Sequence, residues 1–273
     1  MLPKKQRLDV RLVEGGFFAS REKARAAVMA GLVFVDNELV DKPGRTVNRE
    51  AKVEVRGEAA PYVSRGGLKL EKAINAFHLD LSGKVVLDVG ASTGGFTDCA
   101  LKHGARLVYA VDVGYGQLAW SLRNDPRVVV LERTNIRYLS SDILTEPPDF
   151  TTIDVSFISL AKVLPKVNEL ILPEAAGVAL IKPQFEAGRE KVGKRGVVRD
   201  PKVHFEVMQN IAMLVAALGC SVKGLDFSPV TGPEGNIEFL IYFMKNEKKE
   251  SIISGAEIEE CKMIVERAHA ELS

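Results

Sequence analysis

The sequence predicts an α/β protein: a doubly wound, mostly parallel sheet with an antiparallel hairpin at one edge, preceded by a small α+β module. Three observations carry this. From about residue 85 onward, short β-branched runs alternate with helical segments. One of those strands runs straight into a glycine-rich turn that opens a helix. Residues 1–57 hold 12 Lys+Arg against 8 Asp+Glu, a balance of +4, whereas the remaining 216 residues hold 25 against 28, a balance of −3. The near-neutral total of +1 hides a basic module in front of a mildly acidic body.

The bulk composition narrows the class. A chain of 273 residues, 46% apolar and 27% charged, is neither disordered nor fibrous. Its longest apolar stretch, Val207 to Cys220, contains Gln209 and Asn210 and is too short for a bilayer core of about 30 Å. The start, Met-Leu-Pro-Lys-Lys-Gln-Arg, lacks the apolar core of a secretory signal, and Cys99, Cys220 and Cys261 form neither a disulfide framework nor a CxxC pair. A cytoplasmic, metal-free protein is expected.

In the first module Leu8, Leu12 and Val13 recur at helical spacing before Gly15-Gly16, and Ser20 suits the N-cap of a second helix that carries Ala24, Ala27 and Val28 on one face and ends at Gly31. Strands follow at Leu32–Val35, at Leu39-Val40 after an Asp36-Asn37 turn, and at Val53–Val55. This pattern resembles the S4 RNA-binding domain. The resemblance rests on Arg7–Val13, Ser20–Val28 and Gly31–Asn37, and it implies a basic surface for folded RNA. Lys4, Lys5, Arg7, Arg11, Arg21, Lys23 and Arg25 would neutralise phosphates without reading bases.

Residues 58–64, within Gly-Glu-Ala-Ala-Pro-Tyr-Val-Ser, read as a linker, and a second domain spans 65–273. Its strands are expected at Val85–Val89, Leu107–Asp112, Val128–Leu131, Phe150–Asp154 and Gly177–Lys182, with helices starting near Gly95, Ser159 and Asp200. Val222–Phe227 and Glu238–Met244 lie too close for a crossover helix and form the edge hairpin. A last helix, about Ala256 to Leu272, carries Ile258, Cys261, Val265, Ala268 and Leu272 on one stripe.

The loop Gly90-Ala-Ser-Thr-Gly-Gly95 admits three readings. A dinucleotide fingerprint requires glycine where Ser92 stands. A nucleophile elbow, G-x-S-x-G, matches Gly90 to Gly94, but it needs an acid and then a histidine, and only His204 and His269 follow, neither well placed. The third reading is the S-adenosylmethionine site of a class I (Rossmann-like) methyltransferase. Gly90, Ser92, Thr93 and Gly94 would let the backbone approach the amino-acid end of the cofactor. Asp112, ending the second strand, would accept both ribose hydroxyls; Asp88 would act on the amino-acid end through water or backbone, and Asn135 would meet adenine.

A methyl acceptor such as a ribose hydroxyl must be held in line and helped to lose its proton, work suited to a lysine tuned by carboxylates. Lys182 ends a strand that Pro183 stops, and Asp154 ends the strand before it, both at the carboxyl edge of the sheet. Over nearly its whole length the chain resembles the TlyA family, S4-plus-methyltransferase proteins once described as haemolysins. The runs that carry it include Val63–Leu70, Asp88–Phe96, Asp112–Trp120, Glu132–Asn135, Lys182–Glu186 and Gly235–Glu238. The resemblance implies 2′-O-methylation of ribosomal RNA, at cytidine, by a monomer docking on ribosomal subunits.

The related FtsJ type uses a Lys-Asp-Lys-Glu tetrad, which falls here on Lys69, Asp154, Lys182 and Glu238. By that likeness Lys182 activates or orients the hydroxyl, Asp154 and Glu238 set its geometry, and Lys69 helps hold the ribose. Arg65 and the basic stretch with Lys191, Lys194 and Arg195 would add phosphate contacts. Where the family suggests an Arg-x-Trp-Val linker this chain has Ala60-Pro61-Tyr62-Val63, and Trp120 is read as packing on the cofactor side rather than stacking an RNA base. Two other readings differ in class: a membrane-active haemolysin-like protein, and an RNA-binding assembly factor without catalysis.

Overall fold

A computed structural model describes residues 5–18, 20–29, 31–56, 61–246 and 253–272. In the first module, β1 (Lys5–Arg7) leads into α1 (Leu8–Glu14) and α2 (Arg21–Met29), followed by β2 (Val33–Val35), β3 (Glu38–Leu39), β4 (Thr46–Asn48) and β5 (Val53–Val55). The expected helix spacing is what builds its core: Leu8, Leu12, Ala24, Ala27 and Val28 pack against Val33, Val35, Val40 and Val47. The amide of Lys23 donates to Ser20 Oγ, the expected cap. Asp36 and Asn37 both take left-handed backbone, φ 51° and 66°, as a two-residue hairpin turn requires. The pairing of β1 with β4 was not foreseeable from periodicity, because Lys-Gln-Arg shows no apolar alternation.

Asp9 is the unforeseen part of this module. Its side chain is buried, and it accepts hydrogen bonds from Arg7 Nε at 3.0 Å, Arg7 Nη2 at 3.0 Å and Arg21 Nη2 at 2.9 Å. Burial alone would raise this carboxyl, but the two guanidinium groups outweigh it and lower it to about 2. Because the folded value lies below the ordinary one of about 3.9, the stabilisation is complete above about pH 4 and fades as the pH falls toward 2. Methyl NMR signals of Leu12 and Val28 followed from pH 5 to 2 are expected to show native packing lost across that window. An Asp9→Asn protein is expected to be weaker already at neutral pH and to lack the added acid dependence; identical profiles would remove Asp9 as the cause.

The second body follows the expected βαβ rhythm. Its elements are α3 (Gly66–Phe77), β6 (Val85–Val89), α4 (Gly95–Lys102), β7 (Leu107–Val111), α5 (Trp120–Arg123), β8 (Val128–Leu131), β9 (Phe150–Ile153), α6 (Leu164–Leu170), β10 (Ala176–Ile181), α7 (Pro183–Glu186), α8 (Pro201–Ala217), β11 (Cys220–Phe227), β12 (Phe239–Lys245) and α9 (Gly255–Leu272). Among the described residues they form a seven-stranded sheet in the order β11-β12-β10-β9-β6-β7-β8. Strands β6 to β10 are parallel, while β12 runs antiparallel between β10 and β11, so β11 is the outer strand of the hairpin.

Residue alternation along β6 feeds two cores. Val85, Leu87 and Val89 pack with residues of α6, α8 and α9, whereas Val86 packs with residues of α3 and α4. After β6 the chain winds out through β7 and β8, then crosses back to β9, so β6 and β9 are neighbours at the switch point where ligands sit in such sheets. The helix expected from Ser159 starts instead at Leu164. A 3₁₀ turn, Leu160–Lys162, precedes it, and Ser159 Oγ accepts the Ala161 amide there. Among the described residues no helix is long and apolar enough to cross a membrane.

Residues 58–60 of the expected linker lie outside the described residues, and the rest of it is built into the second body. Tyr62 is buried and donates from its hydroxyl to Glu71 Oε1 at 2.7 Å; the Val63 amide donates to Asp98 Oδ2 at 2.8 Å. The tyrosine thus fills the aromatic position of the linker as a packing residue between α3 and α4.

Candidate active site

The carboxyl edge of the sheet holds two cavities that share a wall. The first, of 440 Å³, is lined by Gly90, Ser92, Asp112, Gln117, Asn135 and Asp154, among others, and falls in the size range of small-molecule sites, about 300–1,000 Å³. The second, of 300 Å³, is lined by Ser64, Arg65, Lys69, Lys182 and Glu238 and shares Gly90, Ser92, Asp154 and Ser156 with the first.

The glycine loop shapes the first cavity by close approach. Gly90 has φ 87°, and a Cβ there would lie 2.5 Å from the Asp154 carbonyl oxygen, so the position admits only glycine. Ser92 is also left-handed, φ 49°, and its amide donates to Asp112 Oδ2 at 2.8 Å. The Gly114 amide donates to Asp112 Oδ1 at 2.6 Å. Two backbone donors from different loops therefore fix both carboxylate oxygens of Asp112, each with a lone pair left toward the cavity. Gly94, φ 94°, supports the loop from behind: a side chain there would strike Leu122 and Leu118. Thr93 is held through its carbonyl, which accepts the Ala119 amide at 3.2 Å.

Two expectations change here. Asp88 is wholly buried and spends both oxygens internally, on Thr97 Oγ1 at 2.5 Å and Thr152 Oγ1 at 2.9 Å. Burial pushes its carboxyl up to about 6, and it lines neither cavity. Its work is to join β6, β9 and α4 beneath the loop, because period-two alternation turns it inward. Trp120 is 66% exposed and lines neither cavity, since α5 turns it away from the cofactor side toward α2. Asn135 does line the first cavity, with its oxygen accepting from Arg137 Nε and the Arg137 amide.

The four expected reactive residues meet in the second cavity. Lys69 Nζ lies 2.6 Å from Glu238 Oε2, and Lys182 Nζ lies 2.6 Å from Asp154 Oδ1. Lys182 Nζ also donates to Ser156 Oγ at 2.9 Å, a partner the sequence did not announce. Burial works against the Lys69 ammonium, but Asp154 and Glu238 outweigh it and hold it above its ordinary value. Burial likewise works against the Asp154 carboxylate, which Lys69 and Lys182 hold below the usual range. The two pairs are one network of alternating charge, drawn from α3, β9, β10 and the start of β12, although 169 residues separate Lys69 from Glu238.

The elbow reading of Ser92 fails on geometry. His204 is buried in the other core, bonded to His269 at 2.9 Å and to the Val198 carbonyl at 3.1 Å. Arg65 lines the second cavity, and Lys191, Lys194 and Arg195 are exposed on the loop after α7, where Lys191 pairs with Glu206. Asn236 holds that loop by donating to the Gly196 carbonyl and accepting from the Val198 amide. In the first module Lys5, Arg7, Arg21, Lys23 and Arg25 are exposed and Arg11 is half-buried; Lys4 lies outside the described residues. Sequence reasoning also missed the aromatic rim: Phe157 is 91% exposed with its ring 5.2 Å from Phe185, and the Arg133 guanidinium lies 4.0 Å over Tyr115.

Residues 62–245 match the FtsJ-like methyltransferase family and residues 6–53 match the S4 domain. A relative named 16S/23S rRNA (cytidine-2′-O)-methyltransferase TlyA, from Mycobacterium tuberculosis, is 44% identical over 242 residues, 88% of this chain and 90% of that one. The chain belongs to the TlyA family. A Bacillus subtilis relative, YqxC, is 53% identical over 276 residues, covering 100% of this chain and 97% of the other. A solved Streptococcus thermophilus structure that carries the name hemolysin shares 45% identity and superposes with a TM-score of 0.78 over 98% of this chain and 97% of its own.

This TlyA-family chain is an FtsJ-like methyltransferase, and its cofactor is S-adenosylmethionine. The residues fit that cofactor: Gly90 leaves room that a Cβ would fill, and the half-exposed, doubly anchored Asp112 carboxylate suits a ribose diol.

Proposed function

We propose that the chain methylates a ribose 2′-hydroxyl of ribosomal RNA, at cytidine, with Lys69, Asp154, Lys182 and Glu238 as the reactive group. One observation carries this reading: all four line a cavity that shares the wall of Gly90, Ser92, Asp154 and Ser156 with the cavity suited to the cofactor. The names of the relatives supply the substrate class. Bound S-adenosylmethionine supplies an electrophilic methyl group.

Within the network each side chain has a distinct task. Asp112 and the Gly90–Gly94 backbone hold the cofactor, and Asn135 borders its adenine end. Lys182, fixed between Asp154 Oδ1 and Ser156 Oγ, donates to the ribose hydroxyl oxygen, orients it, and stabilises the negative charge that grows there as the hydroxyl proton passes to solvent water. Glu238 keeps Lys69 extended into the same cavity, where its ammonium holds the sugar. Arg65 and the S4-domain cations Lys5, Arg7, Arg11, Arg21, Lys23 and Arg25 bind phosphate, joined by Lys191, Lys194 and Arg195. These contacts bring affinity that falls with salt and leave specificity to RNA shape.

The test is transfer of labelled methyl to ribosomal subunits purified from cells lacking the modification. Label is expected in ribose at cytidine, recovered as a 2′-O-methylnucleoside. Label confined to bases, or none at all, would sink the proposal.

A further inference from the structure

A groove of 960 Å³ lies between α2 and the segment from Tyr115 to Arg123. On one wall stand Lys23 and Arg25, both exposed and without an ion pair among the described residues. The charges of Arg21 and Arg123 on the same walls are engaged by Asp9 and Glu132, and Glu22 adds one acid. The opposite wall presents Trp120, the single tryptophan of the chain, 66% exposed.

An indole left in water gives up burial that a tryptophan normally gains, so its position wants an occupant. It is also a rigid platform. Leu118 and Leu122, either side of it, are buried against Gly94, which ties the segment to the glycine loop. The groove adjoins the reactive centre: Met29 and Thr93 line both it and the Lys69–Lys182 cavity, and Gln117 lines both it and the Asp112 cavity. A strand lying in the groove would reach the tetrad without leaving the protein surface.

We propose that this groove holds unpaired nucleotides of the RNA substrate beside the modified one, with a base stacked on Trp120 and phosphates on Lys23 and Arg25. Cations on one wall and an exposed aromatic face on the other match a single strand, whose bases are free to stack, better than a duplex, whose bases are not. The inference rests on RNA being the substrate, and it adds where the strand lies.

Because Trp120 is the sole tryptophan, its fluorescence in the full-length protein reports on the groove directly. An eight-nucleotide oligocytidylate is expected to quench it saturably and less at higher salt, while a blunt RNA duplex of the same length leaves it unchanged. Trp120→Ala should raise KM for unmodified subunits about tenfold, with kcat and S-adenosylmethionine affinity within about threefold; Trp120→Phe should restore most of the loss. Arg25→Ala should lower the slope of log KM against log salt by about 1. The proposal is overturned by unchanged emission under saturating oligonucleotide, by no oligonucleotide binding, or by a Trp120→Ala protein that loses kcat at constant KM. Methylation failing while the oligonucleotide still quenches would instead reject the ribosomal substrate and leave the groove assigned.

Discussion

Replacing Lys182 by alanine is expected to lower kcat for methyl transfer by about 10²–10³-fold, the range associated with loss of one positioned donor that stabilises charge growing on a reacting oxygen. The loss should be confined to chemistry. Lys182 Nζ points into the tetrad cavity, while the Asp112 carboxylate and the Gly90 turn, proposed to hold the cofactor, take their shape from backbone hydrogen bonds that do not involve it. Titration calorimetry should therefore find S-adenosylmethionine affinity within about threefold of wild type. The fold should survive, because Asp154 keeps Lys69 as a charge partner and stays partly exposed, at 19%. Activity within tenfold of wild type would remove Lys182 from its role.

The second large effect is on stability. Lys69 and Glu238 are 8% and 1% exposed, so Lys69→Met strands a carboxylate that water cannot reach. Breaking one side of a buried pair costs about 3–5 kcal/mol, and the midpoint of urea unfolding for the larger body should fall accordingly. The double variant Lys69→Met/Glu238→Gln removes the stranded charge and should recover most of that loss. It should not recover methyl transfer, because the ammonium proposed to hold the ribose is still missing. Recovery of both together would make the pair purely structural; recovery of neither would show that the cost lies in packing.

Much of the molecule was legible in the sequence because its signals are local. The βαβ alternation placed every strand of the large sheet, and the strand-to-glycine transition at Val89-Gly90 marked the ligand edge. Asp112, Asp154 and Lys182 could be placed at the active edge because each ends a parallel strand, and parallel strands end together. The tetrad as a set came from family likeness, since nothing in spacing joins Lys69 to Glu238.

The misreadings share a cause, which is that chain position fixes where a backbone goes and leaves the direction of a side chain open. Asp88 sits two residues from the loop, yet the pleat turns it into the α3–α4 core, where Thr97 and Thr152 consume it. Trp120 follows the cofactor loop, yet the short α5 turns it outward to face α2. Asp9, which neither spacing nor charge singled out, is the buried anchor of Arg7 and Arg21.

The sequence by itself determined two domains, their order, the sheet, the glycine turn and the split of charge between a basic front and an acidic body, since hydrophobic period and composition are properties of neighbouring residues. Only the tertiary structure decided which carboxylates face a cavity and which are spent inside. It alone made one charge network of Lys69, Asp154, Lys182 and Glu238, and it alone set α2 across from Trp120. Those relations join residues tens to hundreds of positions apart, and burial and pairing exist only once the chain has closed on itself.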